Sequence, residues 1–211
     1  MTSIRPATPA DVPVILHFIR SLALYEREPD AVETTEADLL RDGFGAPPRF
    51  ECLIAEEQRE EEQPRPVGFA LYFYNYSTWR GRPGIHLEDL FVMPEFRGRG
   101  IGKQLLGRVA ARAVAQGFDR LRWDVLEWNQ TAIDFYQSIG ARLLSDWRIM
   151  RVAGEALESL ASWAEKGELP VRPRNRAHRQ DGVPSKQQLA GVEEGGSGFT
   201  AKPSKKAERR N

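Results

Sequence analysis

The sequence predicts an α/β fold built on a mixed, mostly antiparallel sheet. Residues 50–92 carry three apolar runs of strand length, divided by a charged stretch and a Trp-Arg-Gly-Arg-Pro-Gly turn, as consecutive antiparallel strands are. Residues 14–25 and 101–114 instead repeat apolar side chains at helical spacing. The second of these segments links two strand-like runs, which a helical crossover makes parallel.

Taken in order, Ile4 to Ala7 reads as a first strand and Thr8-Pro9-Ala10-Asp11 as a helix start. Thr8 is the expected N-cap, Pro9 occupies the first helical position, and Asp11 meets the positive end of the helix. Val14, Ile15, Phe18, Ile19, Leu22 and Tyr25 form the buried stripe, and Pro29 marks the break. Thr35 to Asp38 has the spacing of a capping box, opening a short helix that stops near Gly43. Phe50–Glu56 and Val67–Tyr76 are expected to be strands flanking a solvated hairpin loop at 56–64. The third strand, Ile85 to Val92, changes phase: Ile85 and Leu87 are apolar on odd positions, Leu90 and Val92 on even ones. Either a β-bulge near Glu88-Asp89-Leu90 or a strand covered on both faces explains this. Further strands are expected at Leu121–Leu126 and Trp147–Val152, with helices at Asn129–Ile139 and Glu155–Lys166.

Net charge is zero over 211 residues, but it is unevenly spread. Residues 170–211 hold 10 Lys+Arg against 4 Asp+Glu, so the preceding body is acidic. An acidic body attracts cationic ligands at long range. The division predicts a folded domain over residues 1–168 and a basic, disordered tail over 169–211. No run approaches the length of a membrane span and no leader pattern opens the chain, so a cytoplasmic protein is expected. The tail has basic clusters without interleaved aromatics, so nucleic acid is not the expected partner. Cys52, the single cysteine, is expected to be a buried structural thiol. His17, His86 and His178 have no metal-ligand spacing, and no metal is expected. His86 reads as a structural or surface histidine, with a second base as the alternative.

The most specific local signal is Arg97-Gly98-Arg99-Gly100-Ile101-Gly102, lying between an apolar strand and a helix. Glycines that let the backbone approach closely, followed by the free N–H groups of a helix start, form a phosphate cradle. Gln104 after Gly102-Lys103 departs from a P-loop, and the glycine spacing departs from a dinucleotide fingerprint.

With Leu90-Phe91-Val92 before it, this loop resembles the acetyl-CoA pyrophosphate loop of the GCN5-related N-acetyltransferases (GNAT). Ile4 to Thr8, Leu39 to Gly45, Val67 to Ala70, Leu87-Glu88-Asp89 and Glu127 to Tyr136 are similar to one branch of that family, the diamine and thialysine acetyltransferases. The resemblance implies a sheet with helices on both faces, splayed where acetyl-CoA enters, and a homodimer. It implies acetyl transfer from acetyl-CoA to a primary amine of a polyamine, diamine or thialysine-like substrate. The alternatives are a protein or peptide lysine acetyltransferase and a non-catalytic acyl-CoA-binding module.

Residue by residue, the resemblance makes Tyr136 the general acid toward the CoA sulfur, and Glu88 the carboxylate that binds the amine and relays its proton. It places the thioester on the backbone of Leu90, Phe91 and Val92. The pyrophosphate falls on Gly98 to Lys103 (Gly98, Arg99, Gly100, Ile101, Gly102, Lys103), with Arg99 as added charge and Arg97 either a further cofactor contact or, equally, a solvated surface residue. Asn129 and Ser138 are matched to the cofactor. Tyr25, Glu26, Asp89, Trp123 and Asp124 are matched to the acceptor amine. The branch usually carries an acidic insertion near the final strand; here Leu144-Ser145-Asp146-Trp147 is shorter, which leaves the acceptor open within that class.

Overall fold

The computed structural model describes residues 1–58 and 63–166, which form two units divided between Leu144 and Ser145. The first unit holds a five-stranded sheet, β1 (Thr2–Pro6), β2 (Glu51–Glu57), β3 (Arg65–Ser77), β4 (Arg82–Val92) and β5 (Leu121–Arg122), in that spatial order. The first four strands are antiparallel neighbours, whereas β5 runs parallel to β4. Helices α1 (Val12–Tyr25) and α2 (Glu36–Phe44) precede β2. Helix α3 (Ile101–Ala115) makes the crossover to β5, and α4 (Gln130–Ser138) follows. The second unit contributes α5 (Glu155–Lys166).

Alternation along the strands sorts two cores onto the two faces of the sheet. Cys52, Ile54, Phe69, Leu71 and Phe91 meet α1 and α2 through Ile15, Leu16, Phe18 and Leu39. Ala55, Ala70, Tyr72, Ile85 and Leu87 meet α3 through Ile101, Leu105, Leu106 and Val109. Fully burying a side chain of this size contributes roughly 1.5–3 kcal/mol, so four such contacts fix the start of α3 against the sheet. Cys52 is buried, as expected, and burial pushes its thiol well above the usual range.

The structure decides the phase change in β4 in favour of a bulge. Leu71 is opposite Asp89 while Tyr72 is opposite Leu87, so Glu88 is the extra residue. Leu90 and Val92 thereby return to the α3 face already occupied by Ile85 and Leu87. Beside the bulge the sheet splits. β4 and β5 pair only at Ile85–Leu121 and His86–Arg122, after which the two chains diverge.

Two strand expectations need correction. The run expected at Leu121–Leu126 is a strand only over Leu121–Arg122, because the divergence withdraws the ladder partner from the following residues. Trp147–Val152 forms neither strand nor helix, and Trp147, Ile149 and Met150 are exposed. Alternation records compatibility with a pleated surface, but a strand also needs a neighbour's backbone to ladder with, which alternation does not specify. Thr8 and Asp11 do form a capping box, around a 3₁₀ turn at Pro9–Asp11 rather than directly on α1. Thr35 caps α2 in the same way. Part of the hairpin loop, 59–62, and the whole of the expected tail, 169–211, lie outside the described residues.

Candidate active site

The divergence of β4 from the chain after β5 opens a cleft of about 490 Å³, walled by α1, β4, α3 and α4. Its β4 wall runs from Leu87 through Glu88 to Leu90, Phe91 and Val92. In antiparallel pairing, alternate residues turn their N–H and C=O groups toward opposite neighbours. Past the bulge the β5 side of β4 has no strand, so that half of the amides faces the cleft instead.

At one end of the cleft stands the N-terminus of α3. Gly98 and Gly100 have φ of 75° and 76°, the left-handed region that costs other residues about 1–2 kcal/mol. Those two reversals turn the loop so that the first amides of α3 point outward without intrahelical partners. Gly98, Gly100, Ile101, Gly102 and Lys103 all line the cleft. Nothing stands within 4 Å of where a Cβ would project at Gly98 or Gly100, so backbone conformation, not crowding, demands glycine. Free amides, the positive end of a 15-residue helix and Lys103 suit a pyrophosphate.

The two arginines of the loop part company. Arg97 lines the cleft, its Nε donating to the Val92 carbonyl at 2.9 Å and its guanidinium lying over the Tyr25 ring at 4.7 Å. Arg99 turns away: it packs over Phe96 at 4.9 Å and pairs with Glu57 at 3.3 Å. It does not line the cleft.

The opposite wall is aromatic and acidic. Tyr136 projects from α4 against Trp123, ring centroids 4.9 Å apart, with Phe135 at 5.3 Å. Burial, reinforced by the charges of Glu26 and Tyr25, pushes the Tyr136 phenol up to about 12. It therefore keeps its proton at every working pH and is available as an acid. Asn129 caps α4, accepting from the Ala132 N–H at 3.3 Å, and also accepts from the Tyr25 hydroxyl at 3.1 Å.

Helix α1 delivers Tyr25 and Glu26 through its ending. Arg27 takes φ 67°, and the Glu28 and Arg27 N–H groups return to the Ala23 and Leu24 carbonyls at 2.9 and 3.2 Å. This is a Schellman closure of α1, just ahead of Pro29. The Arg27 guanidinium lies 4.6 Å over Trp128, tying the end of α1 to the approach to α4. Glu26 is part-buried and held above the usual carboxylate range by that burial. With Glu88 and Asp124 it gives the cleft three carboxylates.

Besides Arg99, two residues matched to the site lie outside the cleft lining. Asp89 belongs to the α1 side of β4, close enough to charge the environment of Cys52. Burial first, then Glu88 and Glu26, push its carboxyl up to about 7. Ser138 sits at the end of α4, its hydroxyl donating to the Phe135 carbonyl at 2.7 Å. Conversely, Leu22, Thr131 and Ala132 line the cleft without having been singled out. Leu22 reads as one more residue of the α1 stripe, although its place one turn before Glu26 was the available signal. Among the described residues no cluster of His, Cys, Asp or Glu has the makings of a metal site. No helix among them is long and apolar enough to cross a membrane.

A mixed α/β sheet splayed at a bulge, with a glycine-shaped helix start at one end of the gap and an acid-ready tyrosine beside it, defines an acyl-transfer site. The family model described as acetyltransferase (GNAT) family matches residues 17–141. Thialysine N-epsilon-acetyltransferase of Bos taurus is 44% identical over 164 residues, covering 75% of this chain and 96% of the relative. L-ornithine N5-acetyltransferase NATA1 of Arabidopsis thaliana is 30% identical over 197 residues, covering 74% and 86%. Among solved structures, an integron cassette protein of V. cholerae superposes with a TM-score of 0.62 at 27% identity, covering 76% of this chain and 97% of that one. The chain belongs to the GNAT acetyltransferase family. It is an acetyl-CoA-dependent N-acetyltransferase of the branch that its sequence resembles.

Proposed function

We propose that this enzyme acetylates a primary amine of a small cationic acceptor: a polyamine, a diamine or a thialysine-like amino acid. The observation that carries the reading is one continuous cleft joining the α3 amides to Tyr136 and three carboxylates, Glu26, Glu88 and Asp124. Acetyl-CoA supplies the acetyl group as an activated thioester. Gly98 to Lys103 hold its pyrophosphate, and Arg97 adds charge at the cleft wall. The free amides of the Leu90–Val92 segment donate to the thioester oxygen, stabilising the negative charge it gathers on attack. Asn129 donates or accepts along the pantetheine arm once Tyr25 releases it.

Glu88 anchors the acceptor ammonium and takes its proton through water, leaving a neutral nitrogen to attack. Tyr136 then donates its hydroxyl proton to the departing sulfur. Trp123 walls the acceptor side, and Glu26 with Asp124 attracts the remaining ammonium groups of a polyvalent substrate. Support from relatives points the same way without choosing one amine: the bovine enzyme is named for thialysine, and the plant enzyme for ornithine. The working form is proposed to be a cytoplasmic homodimer, as the family resemblance implies.

CoA release measured across spermidine, spermine, putrescine, thialysine, ornithine, lysine and a lysine-bearing peptide tests the proposal. Turnover is expected with at least one small diamine, polyamine or diamino acid at a kcat/KM well above that of the peptide. Preference for the peptide selects the protein-acetylating alternative. Tight acetyl-CoA binding with no turnover on any amine selects the binding module.

The cradle has its own test. Gly100→Ala forces a side chain into the left-handed region at φ 76°. A strain of about 1–2 kcal/mol predicts a roughly tenfold rise in the acetyl-CoA Kd, read by calorimetry, with little change in the KM of the amine.

A further inference from the structure

Beside Glu88 stands a histidine that the mechanism above leaves unused. His86 Nε2 lies 3.5 Å from Glu88 Oε2. The imidazole is stacked on Phe73, centroids 4.9 Å apart and planes 28° from parallel, so its ring is held in place. Its side chain is 17% exposed, against 54% for Glu88. His86 and Arg122 form the last rung joining β4 to β5, so His86 stands at the apex of the splay. Glu88, the extra residue of the bulge, follows that rung by two residues, with Leu87 between them.

We propose that His86 is a positioning residue acting through Glu88: it receives from Glu88 the proton that the acceptor amine gives up, and passes it to solvent. The inference rests on the role given to Glu88 above. An ammonium must lose one proton per turnover, and a carboxylate is a weak place to leave it, because carboxylic acids are stronger acids than imidazolium ions. The ammonium N–H bond breaks with its electron pair remaining on nitrogen, and the proton reaches the Glu88 carboxylate through water. It then moves from Glu88 Oε2 to His86 Nε2, restoring the carboxylate that holds the ammonium of the next acceptor. The imidazolium discharges to water along its exposed edge. No other reactant is needed.

The charges around the ring favour passage over storage. Glu88 attracts the imidazolium from its own strand, while Arg122, opposite in register on β5, repels it. β3 presents only the apolar Phe73 to the ring. Asp89, the next carboxyl along β4, is pushed up to about 7. From the end of α1, Glu26 adds negative charge to the same neighbourhood, acting on Asp89. Helix α3 packs on the other face of the sheet.

The test compares full-length wild type, His86→Gln, His86→Ala and Glu88→Gln, using the best amine of the acceptor panel. His86→Gln is expected to lower kcat at pH 7 about tenfold and to change the shape of the kcat/KM profile with pH. The KM of the amine and the acetyl-CoA Kd stay within about twofold of wild type. Added imidazole is expected to restore kcat of His86→Ala in a concentration-dependent way, which a structural role does not allow. A wild-type pH profile in His86→Gln, with Glu88→Gln severely impaired, overturns the role of His86 and leaves that of Glu88 standing. Loss of activity that imidazole does not rescue and that accompanies a lowered Tm also overturns it. Unimpaired Glu88→Gln removes the role of Glu88 and the His86 relay with it.

Discussion

Tyr136→Phe is expected to lower kcat by about 10²–10³-fold, within the range that a positioned general acid contributes. The substitution deletes one oxygen from a side chain held by ring packing against Trp123 and Phe135. The packing is retained, so the acetyl-CoA Kd and the Tm are expected to stay near wild type. A phenol pushed up to about 12 remains protonated through the accessible pH range. The wild-type kcat profile is therefore expected to show no alkaline loss from Tyr136 below about pH 11. A lowered tyrosine, by contrast, would produce such a limb near pH 9. Steady-state kinetics on the variant, paired with calorimetric acetyl-CoA binding, checks both halves of the expectation.

Glu88→Gln is expected to lower kcat/KM for the amine by about 10²-fold or more, with acetyl-CoA binding unchanged. Two contributions are removed together: the attraction for the ammonium and the acceptor for its proton. The amide keeps the size and the hydrogen-bonding reach of the side chain, so the bulge is expected to survive. Asp89 does not replace it. That carboxyl is turned to the α1 side of β4, outside the cleft lining, and at about 7 it is only partly ionised near neutral pH. Activity of the variant is expected to recover partly at high pH, where more of the acceptor amine is already neutral. Failure to recover above pH 9 would assign Glu88 to binding rather than to proton transfer.

Much of this site was legible because its chemistry is local in sequence. The odd-to-even switch from Leu87 to Leu90 narrows the strand to a bulge or to burial on both faces, and the register shows the bulge. Gly98 and Gly100 announce two left-handed residues before a helix, since few other residues accept them. Thr35 with Asp38 and Asn129 before α4 are caps whose partners lie within three residues. The stripes of α1 and α3 likewise report which face is buried, because 3.6-residue periodicity is set within one element.

What was not legible depends on partners distant in the chain. The sequence favours Arg99 as the added charge, yet it is Arg97 that lines the cleft, because Val92 and Tyr25 receive Arg97 while Glu57 and Phe96 hold Arg99. Nothing in Leu121–Leu126 announces that its ladder ends after two residues, since that depends on where β4 leaves it. Trp147–Val152 alternates as strands do yet is not a strand, because alternation does not specify a neighbour. Asp89 shares a dipeptide with Glu88, and the bulge sends them to different surroundings.

The central claim is that one cleft aligns donor, acceptor, Tyr136 and Glu88. A crystal structure with a covalent CoA–diamine conjugate tests it most directly. The account predicts the pyrophosphate on the amides of Gly98 to Lys103 and the sulfur within about 3.5 Å of the Tyr136 hydroxyl. It places the acceptor nitrogen on the Glu88 side, directly or through one water. A conjugate seated with its sulfur remote from Tyr136, or with its pyrophosphate off the start of α3, would contradict it.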